Sequence, residues 1–169
     1  GLRDLAVIAI KAACQDAGNL RPQALYVGNM LAPQLSAQAH LGALLTDYAN
    51  LTGIEAATIE AGGASGGAAL HQGYMAVASG MVDTALVVGV EKITDKIAAE
   101  SEAALATTTD SDYEAVHGIT PATTAALLMR RYMYEYQVPH EHFAGFPITA
   151  HTNGAPNPLA MFRSPIKAE

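Results

Sequence analysis

The chain has 169 residues, half of them hydrophobic, with few aromatics and no Trp. That is enough for a domain with a real core. A formal charge of −7 argues against nucleic acid, which needs clustered Lys and Arg. A single cysteine, Cys14, rules out a disulfide framework and fits a reducing cytoplasm.

The chain opens on "GLRDLAVIAIKAACQDAG", which predicts a helix over Leu2–Ala17. Asp4, Lys11 and Gln15 share one face of it, and Leu2, Ala6, Ala9, Ile10 and Ala13 lie opposite. Gly18-Asn19 supplies a C-cap. Cys14, on the flank of the apolar face, reads as a small buried hydrophobe. "ALYVGNM" (Ala24–Met30) reads as a strand. "SAQAHLGALLTDYAN" (Ser36–Asn50) reads as a helix with Ser36 near its N-cap and His40 as a surface or groove residue.

"AATIEAG" predicts the next strand, and the helix that follows runs from Ala64 to Ser79. "DTALVVGVEK" (Asp83–Lys92) is a continuous apolar run, as in a parallel strand covered on both faces. Alternating strands and helices predict an α/β fold of βαβ units with right-handed crossovers. Residues 96–119 are polar and weakly periodic and read as a surface excursion. Thr120 at N-cap and Pro121 at N1 start another helix, and a shorter one follows Pro139 before a Pro-rich exit. Arg130-Arg131 reads as a solvated helix face. No run of about 18 apolar residues suggests a membrane span. No basic, then apolar, leader is visible, and both ends read as cuts through something larger.

The chemistry concentrates at "IEAGGASGG", Ile59–Gly67. A strand ending in small residues and then a helix start places backbone N–H groups and a positive dipole end at one point. Such a point activates a nucleophile or stabilises an oxyanion. Gly63-Ala64-Ser65-Gly66-Gly67 spells G-x-S-x-G, with His117 and His151 as candidate partners for a Ser65 triad. The chain is short and few strands follow, so helix capping by Ser65 is the preferred reading. No G-x-x-x-x-G-K-[ST] is present, which excludes a P-loop.

"TIEAGGASGGAALHQGYMAVASGMVDTALVVGVEKITD" resembles the nucleophile segment of thiolases, in particular the sterol-carrier-protein-type and archaeal branch. "RDLAVIAIKAACQDAG", "RPQALYVGNM", "GITPATTAALLMRRYMYEYQV" and "AHTNGAPNPLAMFR" resemble the first helix, the second strand and the cap region of that family. The resemblance implies a thiolase-like α/β fold, layered α-β-α-β-α. Residues 1–95 would be one βαβαβ half lacking its first strand, and residues 96–169 the loop and cap region leading to a C-terminal half. It implies a buried central helix at Ala64–Ser79, on which His71 would be a hydrogen-bonded core histidine.

It also implies an acyltransferase acting on coenzyme A thioesters, with no metal and no covalently bound cofactor. The family's acyl-accepting cysteine falls at Gly63, beside turn residues Gly62, Ala64 and Ser65. Glycine cannot form a thioester. Two alternatives therefore stand beside the acyltransferase: a cysteine-less aldolase acting on acyl-CoA, and a non-catalytic acyl-CoA-binding subunit. The implied partners are acyl-CoA, a second copy or a chain supplying the C-terminal half, and an OB-fold protein. A dimer interface is expected near Thr58–Ala61.

Overall fold

The computed structural model describes residues 1–168 and falls into two compact units, one spanning Gly1–Thr120 and one beginning at Pro121. The 96–119 segment belongs to the first unit, onto which it packs through an apolar contact described below.

In the first unit, α1 (Leu2–Asp16) leads into β1 (Ala24–Gly28) and the short α2 (Ala32–Leu35). Next come α3 (Leu41–Tyr48), β2 (Glu55–Ile59), α4 (Ser65–Ala78), β3 (Ala85–Gly89) and α5 (Ala98–Leu105). The strands are parallel in the order β2-β1-β3, with Ala24 level with Glu55 and with Ala85. The central strand β1 is buried at all five positions, which explains its unbroken apolar sequence.

Side chains alternate across the sheet. Leu25, Val27 and Val88 join Leu2, Ala6 and Ile10 of α1 and Leu41 and Leu45 of α3 on one face. Ala24 and Tyr26 meet Ala69 and Ala76 of α4 on the other. Within α1 only Leu2, Ala6 and Ile10 are buried, whereas Ala9 and Ala13, expected on the same face, stay exposed. Cys14 is half-buried against this core. Gly18, with φ of +72°, takes the left-handed conformation that ends α1.

The helix expected over Ser36–Asn50 is shorter, Leu41–Tyr48, and a separate short helix precedes it. Ser36 is the C-cap of α2, and α3 starts only at Leu41 behind His40, whose φ is +60°. The reason lies across the sheet. A Cβ at Gly42 would come within 2.7 Å of the Ala57 backbone, and the Gly42 N–H donates to Thr58 Oγ1 (2.9 Å). These contacts fix where α3 enters.

In α4, Ser65, Ala69, Gly73 and Ala76 pack against the sheet and the rest of the surface is open. The helix is thus covered on one side only in this chain. His71 is exposed rather than held in the core, because it points away from the sheet. On the third side of the unit, Leu31 and Leu35 bury against Ala104 of α5, with Met30 and Leu105 alongside.

The second unit contains α6 (Pro121–Tyr136) and α7 (Gly145–Gly154), neither with a buried residue. Tyr132 lies tilted against Tyr136 (4.7 Å between centroids) and meets Phe143 edge-on (6.2 Å). Arg130 and Arg131 are exposed, and Arg131 pairs with Glu135 one turn on. No helix among the described residues is long and apolar enough to cross a membrane.

Candidate functional site at the carboxyl ends of the strands

The segments leaving β1, β2 and β3 converge above the carboxyl edge of the sheet, where open parallel sheets hold their ligands. They enclose a groove of about 370 Å³ lined by Asn29, Leu31, Gly63, Gly66, Glu91 and Leu105, among others.

The turn after β2 forms one wall. Gly62 has φ of +56°, a conformation that suits glycine. Its N–H donates to Glu60 Oε1 (2.6 Å). The N–H groups of Ala64 and Ser65 donate back to the carbonyls of Ala61 (3.0 Å) and Gly62 (3.2 Å). Ala64, with φ of −95°, is the N-cap of α4, and Ser65 is already inside the helix.

Ser65 therefore does not cap the helix as expected. Its hydroxyl accepts from Ala61 N–H (3.0 Å) and donates to the Gly62 carbonyl (2.7 Å), stitching the turn shut from below. Only 5% of Ser65 is exposed, and both its hydrogen bonds go to main chain, so no triad is assembled on it. His117 is exposed on a short 3₁₀ turn, and His151 stacks on Phe162 with Nδ1 3.1 Å from the Ser164 carbonyl.

Gly63 sits at the exposed tip. A Cβ built there meets no heavy atom within 4 Å, and the same holds at Gly66 and Gly67. The N–H groups of Gly66 and Gly67 open α4 without an intrahelical acceptor, as first-turn donors do. They give the groove its positive end. By contrast, Gly28 is needed for packing, since its Cβ would lie 2.7 Å from the Ser65 carbonyl oxygen and 2.8 Å from Gly66 Cα. That contact seats the end of β1 directly under the start of α4.

The opposite wall is a polar clamp. Asn29, 4% exposed, donates from Nδ2 to the Val90 carbonyl (2.7 Å) and Glu91 Oε1 (3.1 Å), while its Oδ1 accepts from Ala32 N–H (3.0 Å). Glu91 Oε2 accepts from the N–H groups of Met30 (3.2 Å) and Leu31 (2.8 Å). The carboxylate thus holds the β1–α2 connection to the end of β3. Beyond it, Lys92 pairs with exposed Asp95, whose carboxyl the ammonium holds below its ordinary range. Neither Asn29 nor Glu91 was marked by sequence motif. The bonds that join them to each other and to the far main chain span 60 to 62 residues, which leaves no local pattern.

A parallel sheet with helices on both faces, and a glycine-rich strand–turn–helix at its carboxyl edge, defines an α/β fold. The chain belongs to the thiolase family: it matches the thiolase N-terminal domain over residues 1–168. It is 40% identical over 169 residues to an acetyl-CoA acetyltransferase of Methanothermobacter thermautotrophicus, covering 99% of this chain and 44% of that protein. An acetyl-CoA acetyltransferase of Methanocaldococcus jannaschii is 37% identical over 163 residues, covering 96% of this chain and 41% of that protein. The benzoylsuccinyl-CoA thiolase subunit BbsB of Thauera aromatica is 30% identical over 167 residues, covering 99% and 41%. The chain therefore spans about two fifths of the length of these relatives.

Proposed function

We propose that this chain is the acyl-CoA-binding N-terminal part of a thiolase-type acyltransferase, and that it forms no acyl-enzyme itself. The observation that carries this reading is Gly63 at the tip of the β2–α4 turn, above the open first turn of α4. The family resemblance puts the acyl-accepting cysteine at this position. The turn retains its hydrogen bonds and the dipole end that would stabilise a thiolate or an oxyanion, and it lacks the sulfur. Coenzyme A thioester is the substrate of this reading, in keeping with the names of the relatives.

Acid–base groups for the reaction come from elsewhere in the assembly, either a C-terminal half or a second chain. The stripe of Leu70, Tyr74 and Val77 beside the sheet-facing side of α4 supports this, because it exposes large apolar side chains where a further layer would lie.

Incubation with acetyl-CoA followed by intact-mass measurement tests the proposal. No stable adduct is expected, and an acyl group retained on this chain would overturn it. The empty space at Gly63 favours one further reading, carbon–carbon cleavage of a β-hydroxyacyl-CoA without a covalent intermediate. Release of an aldehyde or ketone from such a substrate, with no adduct, would single that reading out.

A further inference from the structure

We infer that the groove beside Gly63 holds an apolar acyl chain longer than acetyl, and that Ile93 and Leu105 set the length it takes. This rests on the acyl-CoA reading above and names the class of acyl group.

Three observations lead there. The first is the space. Gly63, Gly66 and Gly89 all line the groove, none has a positive φ, and a Cβ on any of them meets nothing within 4 Å. Neither backbone conformation nor packing within this unit demands glycine at these three places, so what they provide is room. At about 370 Å³ the groove is within the range that accommodates small organic ligands and far exceeds a two-carbon group.

The second is the state of the polar side chains. Asn29, Ser65 and Glu91 are the polar side chains among the lining residues, and each is already hydrogen-bonded to protein. A polar acyl group entering here would exchange its water for walls with no free side-chain partner, which is unfavourable.

The third is the remaining surface. Met30, Leu31, Val90, Ile93 and Leu105 supply an apolar wall, with Leu31 and Val90 buried beneath it. Leu105 closes the far side from the end of α5, held there by the packing of Ala104 on Leu31 and Leu35. The open N–H groups at the start of α4 lie on the opposite wall, where a thioester carbonyl would sit. The groove thus sets main-chain donors on the α4 side against a side where apolar residues surround the already-bonded Asn29 and Glu91, a combination that suits a thioester with a hydrocarbon tail.

Binding of CoA, acetyl-CoA and octanoyl-CoA to the full-length protein, followed by titration calorimetry, tests this. Octanoyl-CoA is expected to bind at least about tenfold tighter than acetyl-CoA, since each buried methylene adds to affinity. Ile93→Trp and Leu105→Trp, which fill the groove, are expected to bring that ratio close to one. Ile93 is 41% exposed, so its replacement carries little risk to folding. Leu5→Gln, on the exposed side of α1, should leave the ratio as it is. Equal affinity for acetyl-CoA and octanoyl-CoA would overturn the inference, with the groove then filled by other parts of the protein, and would leave the acyl-CoA reading intact. Failure of all three ligands to bind would remove both.

Discussion

Gly63, two residues before α4, and Gly28, at the end of β1, make opposite use of having no side chain, and substitution separates them. At Gly63 an added Cβ touches nothing, so Gly63→Cys is expected to change stability by less than about 0.5 kcal/mol in denaturant unfolding. It should also create a thiol that acetyl-CoA acylates, seen by peptide mapping as an adduct at 63 and none at half-buried Cys14. An intact, correctly folded Gly63→Cys protein that never acylates, even in its full-length form, would detach the turn from thioester chemistry. At Gly28 the added Cβ strikes main-chain atoms that cannot rotate away, and Gly28→Ala is expected to cost about 1–3 kcal/mol by the same measurement. The strand–turn–helix was legible in the sequence because it is a run of consecutive residues, and Gly63 stood out only through the family resemblance. The role of Ser65 was not. Its hydroxyl serves the turn behind it, not the helix ahead, and G-x-S-x-G spells both possibilities alike.

Among the elements, the strands and most helix entries were legible, and the entry of α3 was not. The apolar runs around Ala24, Ala56 and Asp83 each became a parallel strand, shorter than expected because the run continues into the groove-lining segments. The α2–α3 break was hidden because it depends on Gly42 lying against Ala57, a contact between distant segments. The same limit hid the clamp that joins β1 to β3. Asn29→Ala would leave the Ala32 N–H and the Val90 carbonyl short of a partner in a buried place. We expect it to cost about 1–3 kcal/mol, read as a lower denaturant midpoint. The sheet itself has a pH signature. Burial under α4, and then the Glu55 carboxylate that accepts its hydroxyl at 2.8 Å, raise the Tyr26 phenol above its usual value of about 10. A group that holds its proton more tightly when folded stabilises below its unfolded pKa and loses that contribution as pH rises through the folded one. Stability should thus fall at alkaline pH beyond about 10 in the native chain. Tyr26→Phe should remove that tyrosine-linked part of the fall, and an unchanged alkaline profile in the variant would refute the assignment.

For the whole molecule, the decisive feature is a helix covered on one side. Ser65, Ala69, Gly73 and Ala76 meet the sheet, and beside them Leu70 and Tyr74 are 64% and 67% exposed. Large side chains of this kind in a row along a helix are costly to leave in water and mark a surface that another layer covers. The sequence implied a sandwiched helix here through the family resemblance, and the first unit supplies one of the two layers such a helix needs. If the second layer comes from the remainder of the protein, the consequence of polar substitution depends on the context in which it is made. Leu70→Lys with Tyr74→Lys should leave the folding of the 169-residue chain nearly unchanged and reduce its self-association in sedimentation velocity. In the full-length protein the same pair should lower the melting temperature by at least about 4 °C, because burying an unpaired ammonium against a packed layer costs several kcal/mol. A full-length protein that carries both lysines with an unchanged melting temperature would mean that this face of α4 looks onto solvent, and that the catalytic partner of the Gly63 turn approaches from another direction.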